Sequence, residues 1–465
     1  MANMSWRSWL GCCAIAVLLG TAVPANAWAQ SDLPADQDAA AVEAPPADDA
    51  EPPAALAAFD PFLAEEEGDE ERPVEAPAAE LPPLRVALVG STLIEREQRY
   101  GYWETWLAAT QPQRRFIVRN LGWSGDTVQG ESRAGFGKPH DGYDKLIEQV
   151  RSARPDVVLV AYGTNASFEG EQGLSAFRTG LDHLLRDLSA TGARLVLVSP
   201  PPFEDVGIPG VDTLVRNRDL ALYAAAIREA AEEWEAEHVD LFGGLASAIS
   251  PDGRPLTDNG MHLSAYGYWL AAPAVAAPLV EAQPWRLSLA LDEGRLGVER
   301  SSGTTVIDTA GDLQDADVVL RWSLRDAALP APAPPPGKTA VALPRAAQRI
   351  LQIRGLPPGV YQLRIDRQLM LTATNGAWAR GLELPAGPDQ QQVEQIREAV
   401  IKKNELFFHR WRPQNETYLF GFRKHEQGQN AREIPQFDPL VAEMEEVIYR
   451  LSQPQRRYYE LRRLP

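Results

Sequence analysis

Asp156-Val157-Val158-Leu159-Val160-Ala161-Tyr162-Gly163-Thr164-Asn165 decides the fold. An apolar run of this kind reads as a strand covered by helices on both faces. Helical patterns flank it, Tyr143 to Ser152 before and Leu174 to Ser189 after. Further upstream, Leu84 to Gly90 reads as a buried strand and Arg115 to Arg119 as a second short one. Between them Arg96 to Ala109 reads as a helix, with Tyr102, Trp103 and Trp106 on an aromatic face. Downstream, Arg194 to Val198 is a strand closed by Pro200-Pro201-Pro202. Val211 to Glu237 is a long helix with Leu220, Tyr223, Ile227, Ala231 and Trp234 at helical spacing. Val239 to Phe242 is a fifth strand, and Tyr266 to Val280 a final alanine-rich helix. Strands alternating with helices imply an α/β domain over 84–283 whose parallel sheet has right-handed crossovers. Five strands suit a flavodoxin-like order, in which ligands bind beyond the carboxyl ends of the strands.

The flanks differ from this core. Residues 1–29 have the form of an export signal: Arg7, an apolar run from about Trp9 to Val23, and small residues before Ala29. The run is short for a spanning helix. An exported protein, periplasmic or extracellular and without a transmembrane segment after cleavage, is the expectation. Cys12 and Cys13 are the only cysteines. Cleavage would remove both, and with them any disulfide, thiolate metal site or haem attachment. Residues 30–83 read as a disordered acidic tether rich in Pro and Ala. From Ser31 to Pro83 there are sixteen Asp or Glu against one Arg, a net of −15 out of −19 for the whole chain. The acidity belongs to that tether, and nucleic-acid binding has no electrostatic support.

From Trp285 the pattern becomes β. Leu287 to Leu291, Leu296 to Glu299, Thr304 to Asp308, Val318 to Trp322, Ile350 to Ile353, Val360 to Ile365 and Leu369 to Thr374 read as short strands. A proline-rich break, Leu329 to Gly337, interrupts them. A small sandwich-like accessory unit is expected over 284–385. A helical tail follows over 386–465, with helices at about Gln390 to Phe408 and Pro439 to Ser452. Asn404 to Ala431 mixes aromatic rings with Arg410, Arg412, Arg423 and Lys424. It is either a strap docking the tail onto the α/β domain or a surface that stacks on sugars or grips an anionic glycan.

Chemistry-bearing residues fall after successive strands. Gly90-Ser91-Thr92 follows the first, so a hydroxyl there either stands at the sheet rim or caps the next helix. Asn120-Leu121-Gly122-Trp123-Ser124-Gly125-Asp126-Thr127 follows the second. Gly125 either presents its amide to a ligand or turns the chain. Asn165, after the third, is an amide donor or a turn residue. His262, in Leu256-Thr257-Asp258-Asn259-Gly260-Met261-His262-Leu263, comes after the fifth. Brought together, His262 and Asn165 would be a general base and an oxyanion donor.

The order of these motifs from Leu84 to Val280 resembles the SGNH hydrolase superfamily, the GDSL-like lipases and esterases. The tail resembles those attached to such domains in exported bacterial proteins, planctomycete-type ones among them. The resemblance implies the SGNH fold and hydrolysis of carboxylic esters without cofactor or metal. The substrate would be a small molecule or a carbohydrate bearing O-acetyl or acyl groups. Gly125 and Asn165 would form the oxyanion hole, with His262 as the base. Where the family reads Gly-Asp-Ser this chain reads Gly90-Ser91-Thr92, so Thr92 takes the nucleophile's place and Ser91 stands one residue off. The family's Asp-x-x-His is here Asn259-x-x-His262, with Asp258 one residue further back. A catalytically impaired binding or envelope-structural protein on the same scaffold is the alternative.

Overall fold

The computed structural model describes residues 81–249, 253–281, 284–314, 317–337 and 348–465. The expected export segment and almost all of the acidic tether lie outside these residues; only Leu81 to Pro83 are described, and they open the first strand.

The α/β part runs β1 (Leu81–Gly90), α1 (Thr92–Glu97), α2 (Tyr102–Thr110), β2 (Arg114–Asn120), α3 (Pro139–Ala153), β3 (Val157–Ala161), α4 (Gly170–Ser189), β4 (Arg194–Val198), α5 (Thr213–Glu233), β5 (Glu237–Val239), α6 (Leu241–Ala246) and α7 (Ala265–Ala276). Its five strands are parallel in the order β2-β1-β3-β4-β5, the flavodoxin-like arrangement. Alternation along β1 shows why the run is apolar throughout. Val86 and Leu88 join Trp103, Trp106 and Trp269 on one face of the sheet, while Ala87 and Val89 join Leu146, Leu184 and Tyr223 on the other.

The helix expected over Arg96 to Ala109 is two helices. Gly101 adopts φ +67° between them, a left-handed conformation that interrupts the first and starts the second. Gly101 has no side chain to cap α2, and the buried Glu97 carboxylate does so by accepting the Trp103 N–H at 2.7 Å.

The second half holds β6 (Trp285–Asp292), β7 (Arg295–Ser302), β8 (Thr304–Gln314), β9 (Asp317–Asp326), β10 (Arg349–Arg354), β11 (Val360–Ile365), β12 (Gln368–Thr374), α8 (Asn375–Arg380) and β13 (Leu382–Glu383). The helical segment adds α9 (Pro388–Trp411), α10 (Glu416–Leu419), α11 (Lys424–Gln427) and α12 (Phe437–Leu451), and the chain closes with β14 (Arg456–Arg463). Two sheets, β13-β10-β6-β7 and β12-β11-β14-β9-β8, share one core containing Leu287, Leu289, Leu320, Trp322, Leu351, Tyr361 and Tyr459. The segment over 386–465 is therefore not helical throughout. Tyr459 and Leu461 alternate inward along β14, which pairs antiparallel with both β11 and β9 and completes the sheet from its middle. Arginines at 456, 457, 462 and 463 hide this period-2 signal within a charged stretch.

The proline-rich break is not a loose linker. Leu329 N–H donates to Ala109 O at 2.9 Å, and the Trp269 indole N–H donates to Pro332 O at 2.8 Å. Helix α9 lies against α2 through Val393, Ile396 and Val400. Lys403 is fully buried there, its Nζ 2.6 Å from Glu104 Oε2 and 3.0 Å from Val118 O. Burial moves both groups of this pair toward their neutral forms. Among the described residues no helix is long and apolar enough to cross a membrane.

Candidate active site

Strand register brings three loops to one rim. Gly90 pairs with Ala161 and Leu88 with Asn120, so β1, β2 and β3 end nearly level. The segments that follow them carry Thr92, Gly125 and Asn165.

Thr92 is the first residue of α1. Ser91 precedes it, is buried, and makes no side-chain capping bond. The Thr92 hydroxyl instead accepts the Gly125 N–H at 3.4 Å. That contact depends on how tightly the loop after β2 lies on α1. A Cβ on Gly122 would stand 2.2 Å from the Glu95 backbone nitrogen, so only glycine fits there. Asn120 fastens the same crossing, its Nδ2 donating to Ile94 O at 2.6 Å and its Oδ1 accepting the Gly122 N–H at 3.0 Å. Gly125 sits at φ +80°, the left-handed conformation that turns its N–H toward Thr92.

Asp126 is buried against Arg133 at 2.7 Å and accepts the Tyr162 hydroxyl proton at 3.1 Å. Burial raises its carboxyl, opposed by the Arg133 guanidinium that favours the charged form. Its carbonyl accepts from Asn165 Nδ2 at 3.1 Å. The Gly125 N–H thus meets the Thr92 hydroxyl, and Asn165 Nδ2 is held on the carbonyl of the next residue along that loop.

His262 sits in a small turn closed by pairing of Thr257 with Leu263. The buried Glu204 carboxylate anchors the turn by accepting the Leu256 N–H at 3.1 Å, the Thr257 N–H at 2.8 Å and the Thr257 hydroxyl at 2.6 Å. Arg96 on α1 ties the turn to the helix that starts with Thr92. It pairs with Asp258 and reaches Leu263 O at 3.5 Å. Asp258 also accepts the Tyr100 hydroxyl at 3.3 Å, so its carboxylate is engaged by α1 and the turn that follows it. Asn259 is the residue against the imidazole. Its Nδ2 stands 3.1 Å from His262 Nδ1, and its Oδ1 accepts the backbone N–H of His262 at 3.0 Å and of Met261 at 3.3 Å. Burial first, then the Arg96 charge, push the His262 pKa below its ordinary 6.5, against an opposing pull from Asp258.

The aromatic, basic segment of the tail is a strap over this site. Arg412 lies 3.6 Å from the Trp123 ring centroid and donates to Glu95 Oε2 at 2.7 Å. The same Glu95 oxygen accepts the Ser124 N–H at 2.7 Å. Trp411 meets Trp123 edge-on at 5.9 Å. Lys145 Nζ binds the Glu416 carboxylate at 2.6 and 2.7 Å. Sequence reasoning missed Glu95, Arg96 and Glu204 as the residues that hold the site. Glu95 and Arg96 lie one helical turn after Thr92, a spacing that offered a signal; Glu204 sits in a loop with none. Among the described residues no cluster of three His, Cys, Asp or Glu could hold a metal ion.

Residues 87–270 match the GDSL-like Lipase/Acylhydrolase family, and the five-stranded parallel sheet they contain has the SGNH fold. A solved structure of BT4096, a gut microbial diltiazem-metabolizing enzyme, is similar at 15% identity with a TM-score of 0.63. It covers 83% of this chain and 99% of that one. That likeness is of fold, and its reach over this chain takes in the β-rich and helical parts. Axe2, an acetylxylan esterase from Geobacillus stearothermophilus, aligns over 42% of this chain and 93% of its own at 19% identity, TM-score 0.34. The acetyl xylan esterase AlAXEase covers 43% and 100% at 17% identity, TM-score 0.33. No curated protein matches the chain.

Proposed function

We propose that the protein is an exported esterase that removes acyl groups from carbohydrate or small-molecule esters at Thr92. The observation that carries this reading is the Gly125 N–H directed at the Thr92 hydroxyl, with Asn165 Nδ2 held on the carbonyl of the adjoining Asp126. In the reaction, Thr92 Oγ1 bonds to the ester carbonyl carbon while His262 takes the hydroxyl proton. The Gly125 N–H and Asn165 Nδ2 hold the oxyanion. The C–O bond to the alcohol then breaks, and the alcohol leaves with the proton from His262. Water attacks the acyl-threonine, His262 accepts its proton and returns it to Thr92, and the carboxylic acid departs. Exposed Phe136, Phe420 and Phe422, the first and last in edge-to-face contact at 5.9 Å, offer faces for a sugar ring or acyl chain.

Release of p-nitrophenol from p-nitrophenyl acetate tests the reading. Thr92→Ala and His262→Ala should each lower the rate by roughly 10²-fold. Activity unchanged in His262→Ala would remove the histidine from the reaction. A second reading, a binding protein on this scaffold, draws on the Asn259–imidazole contact. Silence toward a broad acyl-ester panel would favour it.

A further inference from the structure

We infer that Asn259 holds the His262 imidazole with its proton on Nε2, the tautomer that cannot accept the nucleophile's proton at that atom. Asn259 is thus a positioning residue that restrains the reaction; this rests on the ester-hydrolysis reading above.

Asn259 Oδ1 accepts two backbone N–H groups, from Met261 and His262. Turning the amide over would set its NH2 against both donors, so the orientation is fixed by the turn itself. Nδ2 must then face His262 Nδ1 across 3.1 Å. An NH2 group only donates, so Nδ1 must be the acceptor and carry no hydrogen. A neutral imidazole has one N–H, which is left on Nε2. A carboxylate in the same place would reverse each step. One oxygen would keep the two backbone bonds and the other would accept from Nδ1–H, freeing Nε2 as the base and stabilising the imidazolium that forms.

Asp258 does not supply that carboxylate, because Arg96 on α1 and Tyr100 in the turn after it hold it. To react, the resting site must break the Asn259–imidazole bond and shift the proton between ring nitrogens. The imidazolium that follows would place Nδ1–H against an NH2 group. The replacement Asp to Asn at this role costs roughly 10⁴-fold in the protease example.

The test is ¹⁵N NMR of the full chain labelled at histidine, read beside p-nitrophenyl acetate turnover. The His262 signals are assigned by their loss in His262→Ala. Wild type should show a protonated Nε2 and an unprotonated, hydrogen-bonded Nδ1. Asn259→Asp keeps both backbone bonds and should move the proton to Nδ1, with kcat/KM rising at least about tenfold and up to about 10⁴-fold. A wild-type imidazole protonated on Nδ1, or an unchanged tautomer in Asn259→Asp, overturns the inference. If the tautomer switches as stated and neither protein cleaves esters, the tautomer assignment stands and the ester-hydrolysis reading falls.

Discussion

At the residue scale, the difference between Thr92 and serine is one methyl group that stiffens χ1. Thr92→Ser should raise kcat several-fold on p-nitrophenyl acetate, because the freed hydroxyl can swing between attack and the Gly125 N–H. Unchanged turnover would mean that the side chain already stands in the reactive rotamer. The imidazole makes a separate prediction in pH. A base must be unprotonated, and burial with Arg96 lowers the His262 pKa. The acid limb of kcat/KM should therefore have its midpoint below 6.5, with activity kept as pH falls to that point and lost below it. Arg96→Gln removes a cation and releases Asp258 from its ion pair. Both changes favour the imidazolium, so the limb should move to higher pH. A limb that stays in place would show that Arg96 does not act on His262. Chain order made the placement of Thr92, Gly125, Asn165 and His262 after strands of one parallel sheet legible. The direction of the Asn259 amide was not legible, since it depends on backbone N–H groups that converge only once the turn has formed.

At the element scale, α1 and the strap share one carboxylate. Glu95 takes the Ser124 N–H and the Arg412 guanidinium on the same oxygen. Arg412→Ala should leave the α/β domain folded and speed hydrogen exchange at the Ser124 amide by roughly tenfold, about the worth of a partly buried cation–π and charge pair. Equal protection in the variant would detach the strap from the loop that carries Ser124 and Gly125. Helix α9 rests on the Lys403–Glu104 pair. Lys403→Met should cost about 3–5 kcal/mol in urea unfolding, because it leaves Glu104 buried alone. The double variant Lys403→Met/Glu104→Met should recover most of that loss. A tail helix was readable from its period, while its docking face was not. Lys403 and Glu104 are charged residues far apart in sequence, and nothing local says that two charges will be buried together.

At the scale of the whole molecule, the parallel sheet was readable because each of its strands is a local apolar run joined to the next by a helix. The sandwich was only partly readable, because β14 comes after the helical segment and is dominated by arginine. In the structure β14 stands between β11 and β9, with Tyr361 opposite Arg463 and Leu320 opposite Leu461. The α/β half can assemble its sheet from neighbouring segments as they emerge from the ribosome. The second sheet must hold two open edges until residues 456–463 have been synthesised, so synthesis runs ahead of folding there. A ribosome stalled a few codons short of that point would present an unzipped β-layer to chaperones, and a frameshift near position 455 would be read by quality control as a lesion of the entire second half.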